Sequence, residues 1–325
     1  MNALLCLGVI LIHLNNTPLS QLPPGHGGYV VAFAANKLLC FAVPAFLFLS
    51  GFKLFARYGS EKMSVWRFYI GRFRKILLPY FVAVVVYFVY FYIKGWVLLD
   101  DLPEYVFLGT LAAHFYYVVI AVQLYLLFPL LRLAADRWPR ITLAASLLCT
   151  VVFQQFLVFP YSDRFFGSYL FYFVLGMWMA RGTRGESTGR RRWMLPAATL
   201  ALGILHTCLS HAQTEGTLAY SYHGTVNVLY VTFATLTVFG ACIKLGDRPV
   251  FLRLSRGLGG ASYEIYLYHV LLIFFLQYDL YPRLSLGVAA CYGSSCLAVY
   301  GACALGAWVK CRVKDHVGGR LEEKT

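Results

Sequence analysis

Ionisable side chains are costly inside long apolar runs, so the few that interrupt such runs mark where chemistry is available. His13 is the first. It sits in LLCLGVILIHL, about 18 Å along a helix from Met1, and helical spacing puts Asn2, Cys6, Val9, His13 and Asn16 on one stripe. A neutral imidazole there can act as general base toward a hydroxyl. The structural alternative is a histidine that hydrogen-bonds a neighbouring helix. Lys37, beside Asn36, is the only lysine embedded in an apolar run. It either neutralises a carboxylate or phosphate of a ligand or snorkels outward along its stem.

Two further stretches carry reactive types. RFYIGRFRKILLPY places Arg67, Arg72, Arg74 and Lys75 directly before an apolar run, with Pro79 suited to a first helical turn. Such a cluster holds a helix mouth at a membrane surface, and it would also bind the phosphates of a charged cofactor. GGASYEIYLYH contains Glu264 and His269. Five residues apart on a helix, they point in different directions and form no direct acid–base pair, whereas Ser262, Tyr266 and His269 share a face. His114, Gln123 and Asn227 are weaker candidates. His26, His206, His211 and His223 read as outer-loop residues without HExxH or comparable spacing, so no metal site is expected.

The elements that must position these residues are membrane helices. Of 325 residues, 60% are hydrophobic and only 13% charged, about half the charged share of a soluble domain. A spanning helix needs about 20 apolar residues. Candidates run near 2–17, 29–51, 76–94, 114–133, 141–160, 165–181, 193–211, 222–244, 261–278 and 286–309. The expected fold is therefore all-α, a polytopic transmembrane bundle of about ten helices. All the basic residues except Lys37, Lys94, Arg164 and Arg283 fall in alternate gaps or the C-terminal tail, which makes both termini cytoplasmic. The formal charge of +14 is thus spent on orientation rather than gathered in one stripe, and nucleic-acid binding is excluded as a function class. Residues 1–310 form the transmembrane domain and 311–325 a short cytoplasmic tail.

Smaller features fit the same frame. None of the nine cysteines forms a CxxC pair, and nearly all lie in apolar runs as small packing residues. Met1 leads straight into an apolar run with no basic n-region or small-residue cleavage site, so residues 2–14 read as a first span rather than a cleavable signal. Ala289 with Gly293, and Ala302 with Gly306, have the spacing that lets helices approach closely. Segment 95–113, with Asp100, Asp101 and Glu104, reads as an interfacial outer helix or loop rather than an eleventh span.

These stretches, taken in order, resemble the large integral-membrane acyltransferase family (acyltransferase type 3) of bacterial surface-polysaccharide modification. LLCLGVILIHL is similar to the family's first span, ending in its essential histidine, here His13. FAVPAFLFLSGFKLF resembles the second span with its Ser50-Gly51-Phe52 exit. RFRKILLPY matches the basic turn, with Arg72 and Lys75 at its paired basic positions. HFYYVVIAVQLYLLFPLL, YFVLGMWMAR and SYEIYLYH, ending at His269, resemble the later landmarks. One position departs: where the family carries Arg or Lys eleven residues before its histidine, this chain has Asn2. The resemblance then implies either a start upstream of Met1 or a charge supplied from elsewhere.

What the resemblance implies is transfer of an acyl group, most often acetyl from acetyl-CoA, to a hydroxyl of a glycan or lipid-linked sugar at the cell (inner) membrane. His13 would be the catalytic base. Arg72, Arg74 and Lys75 would hold the acyl-CoA phosphates, and Lys37, Ser50, Glu264 and His269 would line a cavity between the first, second, third and ninth spans. No tightly bound cofactor is implied; acetyl-CoA is the donor substrate. The alternative is an exporter of a polysaccharide or lipid-linked sugar. Paired half-molecule repeats with interrupted helices would favour it, and the sequence has none.

Overall fold

The computed structural model of the chain describes residues 1–59, 63–157, 159–182, 194–218 and 224–322. Among them every regular element is helical, and no strand occurs. Lys62, Arg184, Arg190, Arg191, Arg192, His223 and Lys324, which entered the charge and histidine readings, lie outside the described residues.

Among the described residues, seven helical stretches are long and apolar enough to cross a membrane: Asn2–Gln21, Gly27–Tyr58, Val65–Ile93, Ala113–Arg137, Leu195–Thr214, Thr225–Leu245 and Val288–Val313. At the other three expected spans stand shorter helices, Pro139–Gln155, Leu170–Gly182 and Ser262–Phe275, which are not long enough to count as crossing helices by themselves. Segment 95–113 contributes only the six-residue helix Leu102–Phe107 and a turn of 3-10 helix at its end. The outer surface of the long helices is what lipid requires and water forbids. Val82, Val85, Val86, Val89 and Ile93 are exposed along one side of Leu78–Ile93, and Leu126, Leu130 and Leu133 along one side of Tyr116–Arg137. A soluble protein does not display stripes of this kind; a bilayer accepts them. The chain is a membrane protein.

The chain folds as two compact units. The first, residues 1–42 and 238–325, is built around helix α1 (Asn2–Leu14), which lies against α3 (Gly27–Leu39), α14 (Ser262–Phe275) and α15 (Val288–Glu322). Short α2 (Asn16–Gln21) continues α1 after a bend, and α13 (Pro249–Arg256) precedes α14. Pro18 supplies no N–H to the Leu14 carbonyl, so the ladder breaks where α1 becomes α2.

The second unit, residues 43–237, contains α4 (Ala42–Tyr58), α5 (Val65–Arg72), α6 (Leu78–Ile93), α7 (Leu102–Phe107), α8 (Tyr116–Arg137), α9 (Pro139–Gln155), α10 (Leu170–Gly182) and α11 (Met194–Thr214). The boundary falls inside α12 (Thr225–Leu245). Within the second unit, α4 and α10 cross closely. A Cβ on Gly51 would collide with the Phe173 carbonyl, and one on Gly176 with the Phe48 carbonyl. The two backbones therefore touch through glycine. The small-residue pairs expected to do this on α15 do not: a Cβ on Gly293 or Gly306 would meet no atom of another element within 4 Å among the described residues, and Ala289 and Ala302 are exposed. Its buried side is the every-fourth-residue row Cys291, Ser295, Val299, Cys303 and Ala307.

Candidate active site

His13 stands near the end of α1, and the neighbouring helix α14 brings His269 against it. The two rings meet edge to face, with centroids 5.2 Å apart and planes at 61°. His269 is 3% exposed. Its Nδ1 lies 2.9 Å from the carbonyl oxygens of both Ile265 and Tyr266. Carbonyl oxygens only accept, so Nδ1 donates, and in the neutral ring Nε2 is left as the acceptor. The backbone of α14 thereby fixes both the tautomer and the tilt of the ring that His13 packs on.

Beside this pair is a cavity of about 320 Å³. His13 lines it together with Asn16, Ser20 and Gln21 from the end of α1 and from α2, and with Gln277 and Tyr278 beyond α14. α14 does not end as an α-helix; its last turn, Leu276–Leu280, is a π-helical turn. The wider turn is a common device at functional sites. Here it carries Gln277, whose Nε2 donates to Thr17 Oγ1 at 2.8 Å. Two polar side chains of facing elements are thus tied together at the cavity wall.

The bend after α1 is held from behind. Asn15 is 1% exposed. Its Nδ2 donates to Asn36 Oδ1 at 2.8 Å and more weakly to the Ala32 carbonyl at 3.4 Å, while its Oδ1 accepts from Tyr292 Oη at 2.8 Å. Asn36 Nδ2 in turn donates to the Ile12 carbonyl at 3.4 Å. Lower down, Tyr300 Oη donates to the Leu7 carbonyl at 3.0 Å. α1 is therefore pinned to α3 and to two heights of α15 on either side of the His13 turn. A buried amide network satisfied in this way fixes one arrangement, because each broken bond leaves a polar atom in an apolar medium.

Comparison with known proteins places the chain. The family profile of the acyltransferase domain (acyltransferase type 3) matches residues 1–306. The chain belongs to this acyltransferase family. Similar as well is ORF330 of the Acidianus two-tailed virus, an acetyltransferase by proposal in its printed name; it is 24% identical over 246 residues, 71% of this chain and 72% of its own. No solved structure matches.

The remaining sequence-derived residues of this acyltransferase divide between the two units. In the first, Lys37 is half-buried on α3, its Nζ 5.1 Å from the centre of the Phe33 ring. Glu264 lies on the exposed side of α14 and pairs with Lys310 at 2.5 Å, and the same ammonium donates to the Gly260 carbonyl. It is not among the residues lining the cavity. Cys6, on the His13 stripe, donates to the Ser262 carbonyl at 3.8 Å.

In the second unit, Arg72, Arg74 and Lys75 stand where α5 passes into α6 through the π-helical turn Phe73–Leu77. Arg74 and Lys75 are exposed. Arg72 is half-buried, its guanidinium 5.7 Å from the Phe68 ring centre and 5.8 Å from that of Tyr125. Its buried Nε has no hydrogen-bond partner among the described residues. Tyr125 Oη donates to Ser50 Oγ at 3.3 Å, so Ser50, Tyr125 and Arg72 form one chain of contacts.

Several readings need correction. His206 is not in a loop: it lies inside α11, fully buried, stacked on Tyr230 at 5.6 Å. His26 caps α3, accepting from Gly28 N–H at 3.0 Å. Gln123 is a structural clasp, donating to the Arg164 carbonyl and accepting from Phe166 N–H. The sequence reading missed Asn15, Gln277 and Tyr292. A signal for Gln277 existed, since an amide inside an apolar run is itself a candidate.

Proposed function

We propose that the chain is a membrane O-acyltransferase that moves an acyl group, acetyl in the simplest case, from acyl-CoA to a hydroxyl of a cell-surface or lipid-linked glycan at the cell (inner) membrane. The observation that carries this reading is His13, packed on a backbone-fixed histidine and facing a polar cavity, in a chain of the acyltransferase family. His13 takes the proton of the acceptor hydroxyl, whose oxygen attacks the thioester carbon. The tetrahedral intermediate then expels the CoA sulfur, which leaves with the proton His13 took. His269 supports the imidazolium that forms between these steps.

Arg72, Arg74 and Lys75 hold the CoA phosphates. Arg74 and Lys75 are suited as exposed charges, and Arg72 as a planar donor already braced by two rings. Ser50 and Lys37 are assigned to substrate contacts. Glu264, engaged with Lys310, is assigned to holding α14 against α15. The charge asymmetry supports a bundle of about ten spans with both termini in the cytoplasm, on the side where acyl-CoA is made.

The test is purified protein in lipid nanodiscs with radiolabelled acetyl-CoA and an isolated glycan acceptor. His13→Ala is expected to lower transfer by about 10²–10⁴-fold, the usual worth of a general base. Transfer at the wild-type rate in a folded His13→Ala protein would remove the proposal.

A further inference from the structure

The cavity beside His13 also carries information about what enters it. One side of it supplies hydroxyls and amides, from Asn16, Ser20, Gln21, Gln277 and the Tyr278 phenol, and the other an apolar wall of Val270, Ile273 and Phe274. Among the described residues, no Lys, Arg, Asp or Glu lines it. Phe274 and Tyr278 add two rings stacked at 5.8 Å with planes 25° apart. At about 320 Å³ it is at the small end of ligand pockets, which span roughly 300–1,000 Å³.

Each of these features selects. A carboxylate or ammonium brought into a site without a counter-charge loses its hydration with nothing to replace it. A long alkyl chain finds too many polar atoms to desolvate. A ring bearing several hydroxyls fits on both counts: its hydroxyls exchange bonds with the amides, and its C–H face lies on an aromatic ring. Gln277 is the best-defined of the recognising groups. Its Nε2 is committed to Thr17, which fixes the amide and leaves Oε1 as the acceptor side of the head group.

The position of the cavity adds a direction. Asn16, Ser20 and Gln21 lie beyond His13 from Met1, and Gln277 and Tyr278 lie at the end of α14 away from the basic residues Arg248, Arg253 and Arg256. The cavity thus belongs to the membrane face opposite the basic loops.

We propose that this cavity is the acceptor subsite, that it admits an uncharged sugar ring from the non-cytoplasmic face, and that Gln277 determines this specificity. The inference rests on the acyl-transfer reading above. The ring presents one hydroxyl to His13, and charged sugars are refused at the same place.

The experiment measures binding without requiring turnover. Saturation-transfer NMR on the full chain in nanodiscs would compare methyl β-glucoside with methyl β-glucuronide. The glucoside is expected to bind and the glucuronide to give at least about tenfold weaker signal, the loss of a solvating shell without compensation. Gln277→Ala should weaken the glucoside by about tenfold, one hydrogen bond to a committed amide. Gln277→Lys should turn the preference toward the glucuronide. Equal binding of both glycosides, no binding of either, or an unchanged preference in a Gln277→Lys protein with wild-type thermal melting would each overturn the assignment. Failure of the catalytic reading looks different: His13→Ala would then retain acetyl transfer while the glycoside preference stays intact.

Discussion

At the scale of residues, the proposed activity depends on how firmly His13 is held. Its own helix bends two residues later, and an unsupported bend would let the ring swing. Asn15 prevents this by accepting from Tyr292 and donating to Asn36. Tyr292→Phe removes one hydroxyl and leaves the Asn15 carbonyl oxygen buried without that donor, at a cost of about 1–3 kcal/mol. Because the loss is felt at the His13 turn, kcat should fall about tenfold while the KM for acetyl-CoA stays unchanged. Steady-state kinetics and thermal melting of the same preparation check both parts, and a wild-type kcat in a measurably destabilised protein would show that the network is structural only. His13 and His269 were both legible in the sequence as ionisable residues in apolar runs. That they touch was not, because 255 intervening residues separate them and no periodicity links α1 to α14. Asn15 was hidden for a different reason: at a helix end an asparagine reads as a turn residue, and only the third partner, Tyr292, reveals it as buried.

At the scale of elements, the close crossing of α4 and α10 carries the sharpest expectation. Gly51→Ala and Gly176→Ala each insert a methyl into a backbone carbonyl of the facing helix, Phe173 and Phe48 respectively. Overpacking of this kind costs about 1–3 kcal/mol and more where backbone must move. Gly293→Ala, whose Cβ would meet no atom of another element within 4 Å among the described residues, should be neutral, or stabilising by the roughly 0.5–1 kcal/mol that a helical glycine forfeits to alanine. Thermal melting in one detergent orders the three variants; Gly293→Ala as damaging as Gly51→Ala would contradict the packing described. Here the sequence misled in an instructive way. Small-residue spacing is present at Gly293, with Ala289 four residues before it, and absent at Gly51, which has Leu47 and Phe55 four residues to either side; spacing says which faces can approach closely, and only the tertiary partner says which do. The two π-helical turns were illegible for a similar reason. Phe73–Leu77 and Leu276–Leu280 contain no Gly or Pro, so no residue type in them marks the extra residue per turn.

At the scale of the whole molecule, the bundle is read from its exterior. Apolar stripes along α6 and α8 face outward, and hydropathy alone foretold that lipid rather than water surrounds them. Span number was less accessible, because α9, α10 and α14 are shorter than a bilayer-crossing helix usually is. Under the topology proposed from the loop charges, the basic turn with Arg72, Arg74 and Lys75 and both termini are assigned to the cytoplasmic side, and the cavity at the far end of α1 and α14 to the other. Acyl transfer at His13 would then connect a donor and an acceptor held on opposite faces. Sealed proteoliposomes test this most directly, with radiolabelled acetyl-CoA confined to one compartment and a neutral glycoside to the other. The account predicts label on the glycoside across the bilayer with the wild-type chain, in the orientation that gives acetyl-CoA access to the basic face, and none with His13→Ala. Transfer that persists without His13, or that occurs only when donor and acceptor share a compartment, would contradict it.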